Sequence, residues 1–338
     1  MLILSHDDVR AALAPEDCAD AMAAVLAAHA RGEALMPLRA MVPFEGAAGF
    51  MGLMPAWRGG PDPVFALKSL AVMPGNPARG LDSHQGTVTL FDGTIGAPRA
   101  ILDASAVTAV RTAAVSAVAT RVLAREDARV LAIIGAGVQG KAHLTALLSV
   151  REFEEVRVFA PNQEHARGLA DDRAIVASSA EDAVRGADVV VTATSSREPV
   201  IRHDWLAPGA HINAVGASVP SARELDLDTV VACALFCDSR ESLRNEAGEY
   251  RQAAEEGAIG EDHVRASLGE VLAGIAPGRK SDSELTVFRS LGRESWGSGP
   301  RSTFDRPARH RGGPGSHRRR GGAHPAGPVA RRRGPGRH

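Results

Sequence analysis

Residues 129–140 read RVLAIIGAGVQG. Val130 to Ile134 form an unbroken apolar run with no polar alternation, the pattern of a strand covered on both faces. Glycines follow at 135, 137 and 140, and VQGKAHLTALLSV (138–150) then carries apolar residues at helical spacing. In a strand–GxGxxG–helix unit each glycine has a separate task. Gly135 lets the chain turn, Gly137 lets backbone approach a pyrophosphate, and Gly140 lets helix and strand close together. The phosphates would rest on the amide groups at the helix start near Val138. A tight turn with no ligand is the bland alternative. The succession that follows argues against it.

Downstream, strand and helix patterns alternate: EVRVFA (155–160), QEHARGLADD (163–172), AIVAS (174–178), SAEDAVRGA (179–187), DVVVTAT (188–194) and AHINAVG (210–216). Strands separated by helices of this length imply βαβ units and a doubly wound parallel sheet of Rossmann type. Residues 118–292 are therefore expected to form a dinucleotide-binding domain. A carboxylate about twenty residues past the glycine loop would hold a ribose 2′-hydroxyl. Here the strand ends at Ala160, Pro161 and Asn162, so a 2′-phosphate meets no repulsion, yet no arginine stands right beside it and Arg167 is a turn or more into the helix. The cofactor is NADPH or NADH, with the balance towards NADP. Thr194, Ser195, Val215 and Gly216 end further strands on the same side and are candidate cofactor contacts. The alternative for Thr194 and Ser195 is ordinary helix capping.

Upstream, Ser5 and Asp8 have capping-box spacing before HDDVRAAL, and Pro15 opens a second helical stretch that Gly32 closes. FMGLMPAW, VFALKSLAVM and TVTLFDGT read as strands, and ASAVTAVRTAAVSAVATRVLA (104–124) as a long, closely packed helix. Three cations interrupt apolar runs here: Arg39, Lys68 and Arg111. One such residue is commonly a surface side chain whose stem lies on apolar neighbours. Three of them, in the domain that must face a nicotinamide, suggest a converging site for a carboxylate.

The bulk numbers fit a globular enzyme: 338 residues, 44% hydrophobic and 23% charged. No uninterrupted apolar run has the ~20 residues of a membrane span, and MLILSHDDVR lacks the basic and apolar regions of a secretory leader. The three cysteines lack redox or metal spacing and suit a reducing, cytoplasmic setting. No metal site is expected. The net charge of −1 hides a division. Residues 293–338 hold 12 arginines and two acids, a formal +10, against −11 for residues 1–292. This Arg/Gly/Pro-rich tail is expected to be disordered. It reads either as the product of a shifted frame beginning near Gly292 or as a nucleic-acid arm, and the scarcity of aromatics for base stacking disfavours the arm.

Taken together, GFMGLMPAW, FALKSLAVMPGNPARGL, VTAVRTAAVSAVATRVLAR, LAIIGAGVQG, INAVG with Pro220 and REL, and GRKSDSELTVFRSLG resemble the ornithine cyclodeaminase/mu-crystallin family, in the family's order, over residues 1–292. The resemblance implies a Rossmann domain plus an N-terminal α/β domain, residues 1–117, that binds substrate and forms a homodimer. It also implies an NAD(P)-dependent enzyme. Carried over by position, Arg39, Lys68 and Arg111 hold the substrate carboxylate, Ser83 stands near it, and Thr286, Phe288 and Ser290 return near the nicotinamide. Cyclodeaminases of the family carry an aspartate just past the glycine turn of INAVG; this chain has Ser218. A lone serine hydroxyl is a poor general base, so the change favours plain imine reduction.

The expected reaction is reduction of a cyclic ketimine carboxylate, Δ1-pyrroline-2-carboxylate or Δ1-piperideine-2-carboxylate, with the nitrogen taking a proton from water or Lys68. Lys68 and Ser218 are the candidate catalytic residues. The rivals are ornithine cyclodeaminase, alanine or another amino-acid dehydrogenase, and a protein that binds NADPH without turnover. Partners are a small imine or amino acid and a second copy of the chain, with no membrane.

Overall fold

A computed structural model describes residues 1–291 except Leu38, Ser218 and Val219. The expected disorder of the 293–338 tail and the expected role of Ser218 both lie outside the described residues.

The first sheet has seven strands: β1 (Leu2–Leu4), β2 (Ala34–Leu35), β3 (Ala40–Pro43), β4 (Phe50–Arg58), β5 (Val64–Val72), β6 (His84–Asp92) and β7 (Pro98–Asp103). Their order is β1-β7-β6-β5-β4-β2, with β3 also on β4, and all pairs are antiparallel except β1 with β7. Helices α1 (His6–Ala12), α2 (Pro15–Ala30) and α3 (Ala104–Leu123) follow or separate these strands. The Ser5–Asp8 capping box forms as its spacing requires.

The second sheet has eight strands, all parallel: β8 (Val130–Ile134), β9 (Glu155–Phe159), β10 (Ile175–Val176), β11 (Val189–Thr192), β12 (His211–Ala214), β13 (Ala234–Cys237), β14 (Val264–Ser267) and β15 (Thr286–Arg289). The order is β10-β9-β8-β11-β12-β15-β13-β14. It reverses between β8 and β11, the switch point at which doubly wound sheets bind ligands. Strand β8 is wholly apolar and β11 nearly so, as expected where helices cover both faces of a sheet. Helices α4 (Val138–Val150) and α5 (Gln163–Ala170) follow β8 and β9.

Helix α3 is the spine between the sheets. Asp103 caps it, its Oδ1 accepting from Ala106 N at 2.7 Å. Ala113, Ala114, Ala117 and Ala119 are buried, and such small side chains let α2 and α4 approach closely. One apolar core runs from Cys18 and Val118 through Leu144 to Leu131, Phe236 and Phe288. By length and composition α3 could cross a bilayer, but most of it is buried in this core, which accounts for its apolarity.

A buried polar chain crosses the same region. His143 Nδ1 donates to Gln139 O at 2.7 Å, and Nε2 accepts from Ser116 Oγ at 2.9 Å. Thr120 Oγ1 donates to Ser116 O at 2.9 Å and accepts from Asn213 Nδ2 at 2.9 Å. The chain fastens α4 and β12 to α3, so the cofactor helix and the helix carrying Arg111 share one rigid mount.

Candidate active site

A cleft of about 1000 Å³ opens over the switch point. One wall is built from strand ends and the turns beyond them: Gly135–Val138, Phe159–Asn162, Ala193–Ser196, and Val215 with Gly216. The facing wall comes from the first sheet and α3, with Lys68, Asp82, His84, Ser105, Thr108 and Arg111.

The glycine loop has the form a pyrophosphate needs. Gly135 sits at φ +114°, where a side chain is strained, and a Cβ there would collide with Ala193 O. A Cβ on Gly140 would collide with Gly135 O, so this glycine is where helix and loop touch. A Cβ on Gly137 would meet nothing within 4 Å; it caps α4 and leaves room in front of the helix amides. A dinucleotide phosphate fits that space and those donors.

The opposite lip of the same wall is held by Glu224, a buried carboxylate in the REL stretch. Its Oε1 accepts from Thr194 N at 2.7 Å and Thr194 Oγ1 at 2.9 Å. Its Oε2 accepts from Gly216 N at 2.7 Å and Thr192 Oγ1 at 2.9 Å. One side chain therefore ties the turns after β11 and β12 together. Gly216 must be glycine, since a Cβ would strike Thr194 backbone and the Glu224 carboxylate. Below these turns lies fully buried Arg289, whose Nη1 donates to Ala214 O at 2.7 Å and whose Nε lies 2.7 Å from Glu249 Oε1. Burial pushes the Glu249 carboxyl up in pKa, partly offset by Arg289.

At the far end of the wall, Asn162 lines the cleft and also caps α5, its Oδ1 accepting from Glu164 N at 2.9 Å. His165, one turn on, lines the cleft too. Arg167 is not among the lining residues. No carboxylate stands among the lining residues at the end of β9.

On the facing wall, Lys68 shares a sheet face with Leu70 and Val72, the face covered by α3. Its Nζ donates to Thr108 Oγ1 at 2.7 Å, and Thr108 Oγ1 in turn donates to Ala104 O at 2.5 Å. The lysine is therefore directed into the cleft by a hydroxyl. Arg111, three residues along α3 from Thr108, lines the same space.

The third expected cation is elsewhere. Arg39 is not a lining residue; its Nη2 lies 3.7 Å from Glu246 Oε2, with both side chains buried. A buried guanidinium and a buried carboxylate stay where each other's charge offsets lost hydration; of the three expected cations, Lys68 and Arg111 line the cleft. Ser83 also lies off the lining and is bonded to His84 Nδ1 at 2.8 Å. Ser290 is buried with its N–H on Ala214 O at 2.9 Å, and Leu291 reaches the cleft in its place. Thr286 likewise serves structure, donating to Leu123 O at 3.2 Å, and Phe288 is core.

Sequence reading missed Glu224, Asp82, His84 and His165. The only local signal was DSH at the mouth of a strand; the partners of Glu224 are 8 to 32 residues away. All three cysteines are buried and unpaired, burial pushes the Cys233 thiol up to about 12, and no metal-binding group occurs among the described residues.

Residues 1–294 match the family described as "Ornithine cyclodeaminase/mu-crystallin family". Ketimine reductase mu-crystallin of Mus musculus is 39% identical over 266 residues, 77% of this chain and 81% of that protein. The structure of Thermococcus litoralis Δ1-pyrroline-2-carboxylate reductase, solved with NADH and L-proline, superposes with a TM-score of 0.81 at 35% identity, covering 86% of this chain and 92% of that one. An archaeal alanine dehydrogenase, solved as a dimer with bound NAD, gives a TM-score of 0.79 at 34% identity, over 86% of this chain and 90% of that one.

Proposed function

The chain belongs to the ornithine cyclodeaminase/mu-crystallin family, and on that premise we propose that it is an NAD(P)H-dependent reductase of a cyclic ketimine carboxylate. The observation that carries the reading is the pair Lys68 and Arg111 in one cleft with the glycine loop. Two cations suit a carboxylate, and the loop suits a dinucleotide. When bound, the reduced cofactor supplies a hydride to the imine carbon. The chain's own residues orient the reactants. Lys68, aimed by Thr108, and Arg111 would fix the carboxylate, while the turns tied by Glu224 would form part of the wall that holds the cofactor. Most of the acceleration is then orientation and fixed charge.

Absence of a carboxylate at the end of β9 supports acceptance of a 2′-phosphate, so NADPH is favoured over NADH. The outer face of the first sheet supports a homodimer. Trp57, Phe65 and Phe91 stand in register across β4, β5 and β6 on the face away from α3, and Phe65 and Met51 are 46% and 38% exposed. Three free thiols support a reducing compartment such as the cytoplasm.

Turnover tests the reading. NADPH or NADH should be consumed with Δ1-pyrroline-2-carboxylate or Δ1-piperideine-2-carboxylate, yielding the cyclic amino acid. Ammonia release from ornithine, with neither imine reduced, would refute it. A second reading, amino-acid dehydrogenase, is favoured by the 36% identity to the Archaeoglobus fulgidus alanine dehydrogenase. It requires ammonia together with an oxo acid.

A further inference from the structure

We propose that His84 is the catalytic acid that protonates the imine nitrogen, an inference that rests on the reductase reading. His84 opens β6 two pleats from Val88, which lies opposite Lys68 in the neighbouring strand. His84, Val88 and Lys68 thus share the sheet face turned to α3. Gly86 lies between the two on that face and adds no side chain. His84 lines the cleft with Lys68 and Arg111, and its side chain is 35% exposed.

Its surroundings fix the ring. Ser83 Oγ is 2.8 Å from Nδ1, so Nε2 is the nitrogen presented to a ligand. The His84 amide donates to Asp82 Oδ1 at 3.0 Å, and that oxygen is 3.9 Å from Nδ1. Ser105 Oγ holds the other oxygen of Asp82. The Asp82 carboxylate thus stands beside the ring, and Lys68 and Arg111 line the same wall of the cleft. Imidazole is the side chain most often used to deliver a proton in enzyme sites, and this one is placed to do so.

Lys68 is the poorer candidate. An ammonium that surrendered its proton to the substrate would lose the charge that holds the carboxylate. A division of labour avoids this: Lys68 and Arg111 keep their charges, and His84 moves the proton. In the step, the imine carbon gains a hydride and forms a C–H bond, and the reduced nicotinamide is oxidised. The C=N π pair passes to nitrogen, which forms an N–H bond with the proton of His84 Nε2. The neutral ring regains a proton from solvent at its exposed edge.

The test uses the full chain and the variant His84→Gln, with Δ1-pyrroline-2-carboxylate and NADPH from about pH 5.5 to 9.5. Loss of a general acid predicts a fall in kcat of about 10²-fold or more, and disappearance of the alkaline fall in kcat. Binding of pyrrole-2-carboxylate, a planar unreactive analogue, should stay within about threefold of wild type, because the carboxylate anchors remain. The proposal is overturned if the variant keeps wild-type kcat and its alkaline limb, or if analogue binding collapses together with kcat. A wild-type protein that turns over neither imine overturns the reductase reading itself. A wild-type protein that is active, beside an unaffected variant, overturns only the role of His84.

Discussion

Replacing Glu224 by glutamine keeps the shape of the side chain and removes one acceptor. The carboxylate accepts two backbone and two hydroxyl hydrogen bonds, one of each on either oxygen. A glutamine offers one oxygen, so its NH₂ must face either Thr194 N–H or Gly216 N–H. The threonine hydroxyls can rotate and accept; a backbone amide cannot. One buried N–H is left without a partner, at about 1–3 kcal/mol, and a bond to a charged acceptor worth about 1.5–3 kcal/mol is lost. The remaining bonds weaken as the charge disappears. A loss of about 4 kcal/mol in stability follows, which for a chain of this size lowers Tm by about 10 °C. The two turns also form one cofactor wall, and their separation should weaken NADPH binding by about tenfold, or 1.4 kcal/mol. Differential scanning calorimetry and titration calorimetry measure the two effects. A variant that melts within about 2 °C of wild type and binds NADPH equally well would refute the assigned role of Glu224.

Further outcomes follow from the same geometry. Lys68→Met and Arg111→Met should each raise KM for the imine by about 10- to 100-fold, the worth of one charge-assisted contact, while NADPH affinity measured by fluorescence stays unchanged. Asn162→Asp keeps the cap on α5 and adds a carboxylate where β9 ends; it should shift the NADH/NADPH preference by about tenfold towards NADH in steady-state kinetics. Stability should fall on acidification below the ordinary histidine range. Burial lowers His143 to about 4 and His211 to about 3. The unfolded rings take up protons near pH 6.5 and the folded ones resist to the lower values, so stability is full above that range and lost as pH falls towards 4. At full extent the shifts correspond to about 3 kcal/mol for His143 and about 5 kcal/mol for His211, lost gradually as pH falls. Urea unfolding at several pH values checks this, and His143→Gln should flatten the dependence.

The Rossmann sheet was legible because its evidence is local. The run Val130–Ile134, the three glycines and the alternating elements each state their role within a few residues, and the structure gives Gly135, Gly137 and Gly140 three separate environments. The insertion of β15 between β12 and β13 was not legible, since strand order is decided by packing between distant segments. Among the cations, Lys68 and Arg111 stood out as charges in apolar runs and do line the cleft. Arg39 gave the same signal for a different reason: its partner is Glu246, which no local pattern connects to it. Ser83 was one residue from the group that lines the site, because strand alternation turns His84 towards α3. Glu224 stood in the quoted REL stretch, but its role was not legible there because it exists only where two turns meet.

The central claim is that Lys68 and Arg111 hold an organic acid beside a nicotinamide gripped by the glycine loop. A crystal structure of the protein with NADH and L-proline tests it most directly. The prediction is a proline carboxylate within hydrogen-bonding distance of Lys68 Nζ and the Arg111 guanidinium, with the ring carbon that carries it facing C4 of the nicotinamide. A carboxylate bound elsewhere, with both cations turned from the ligand, would contradict it.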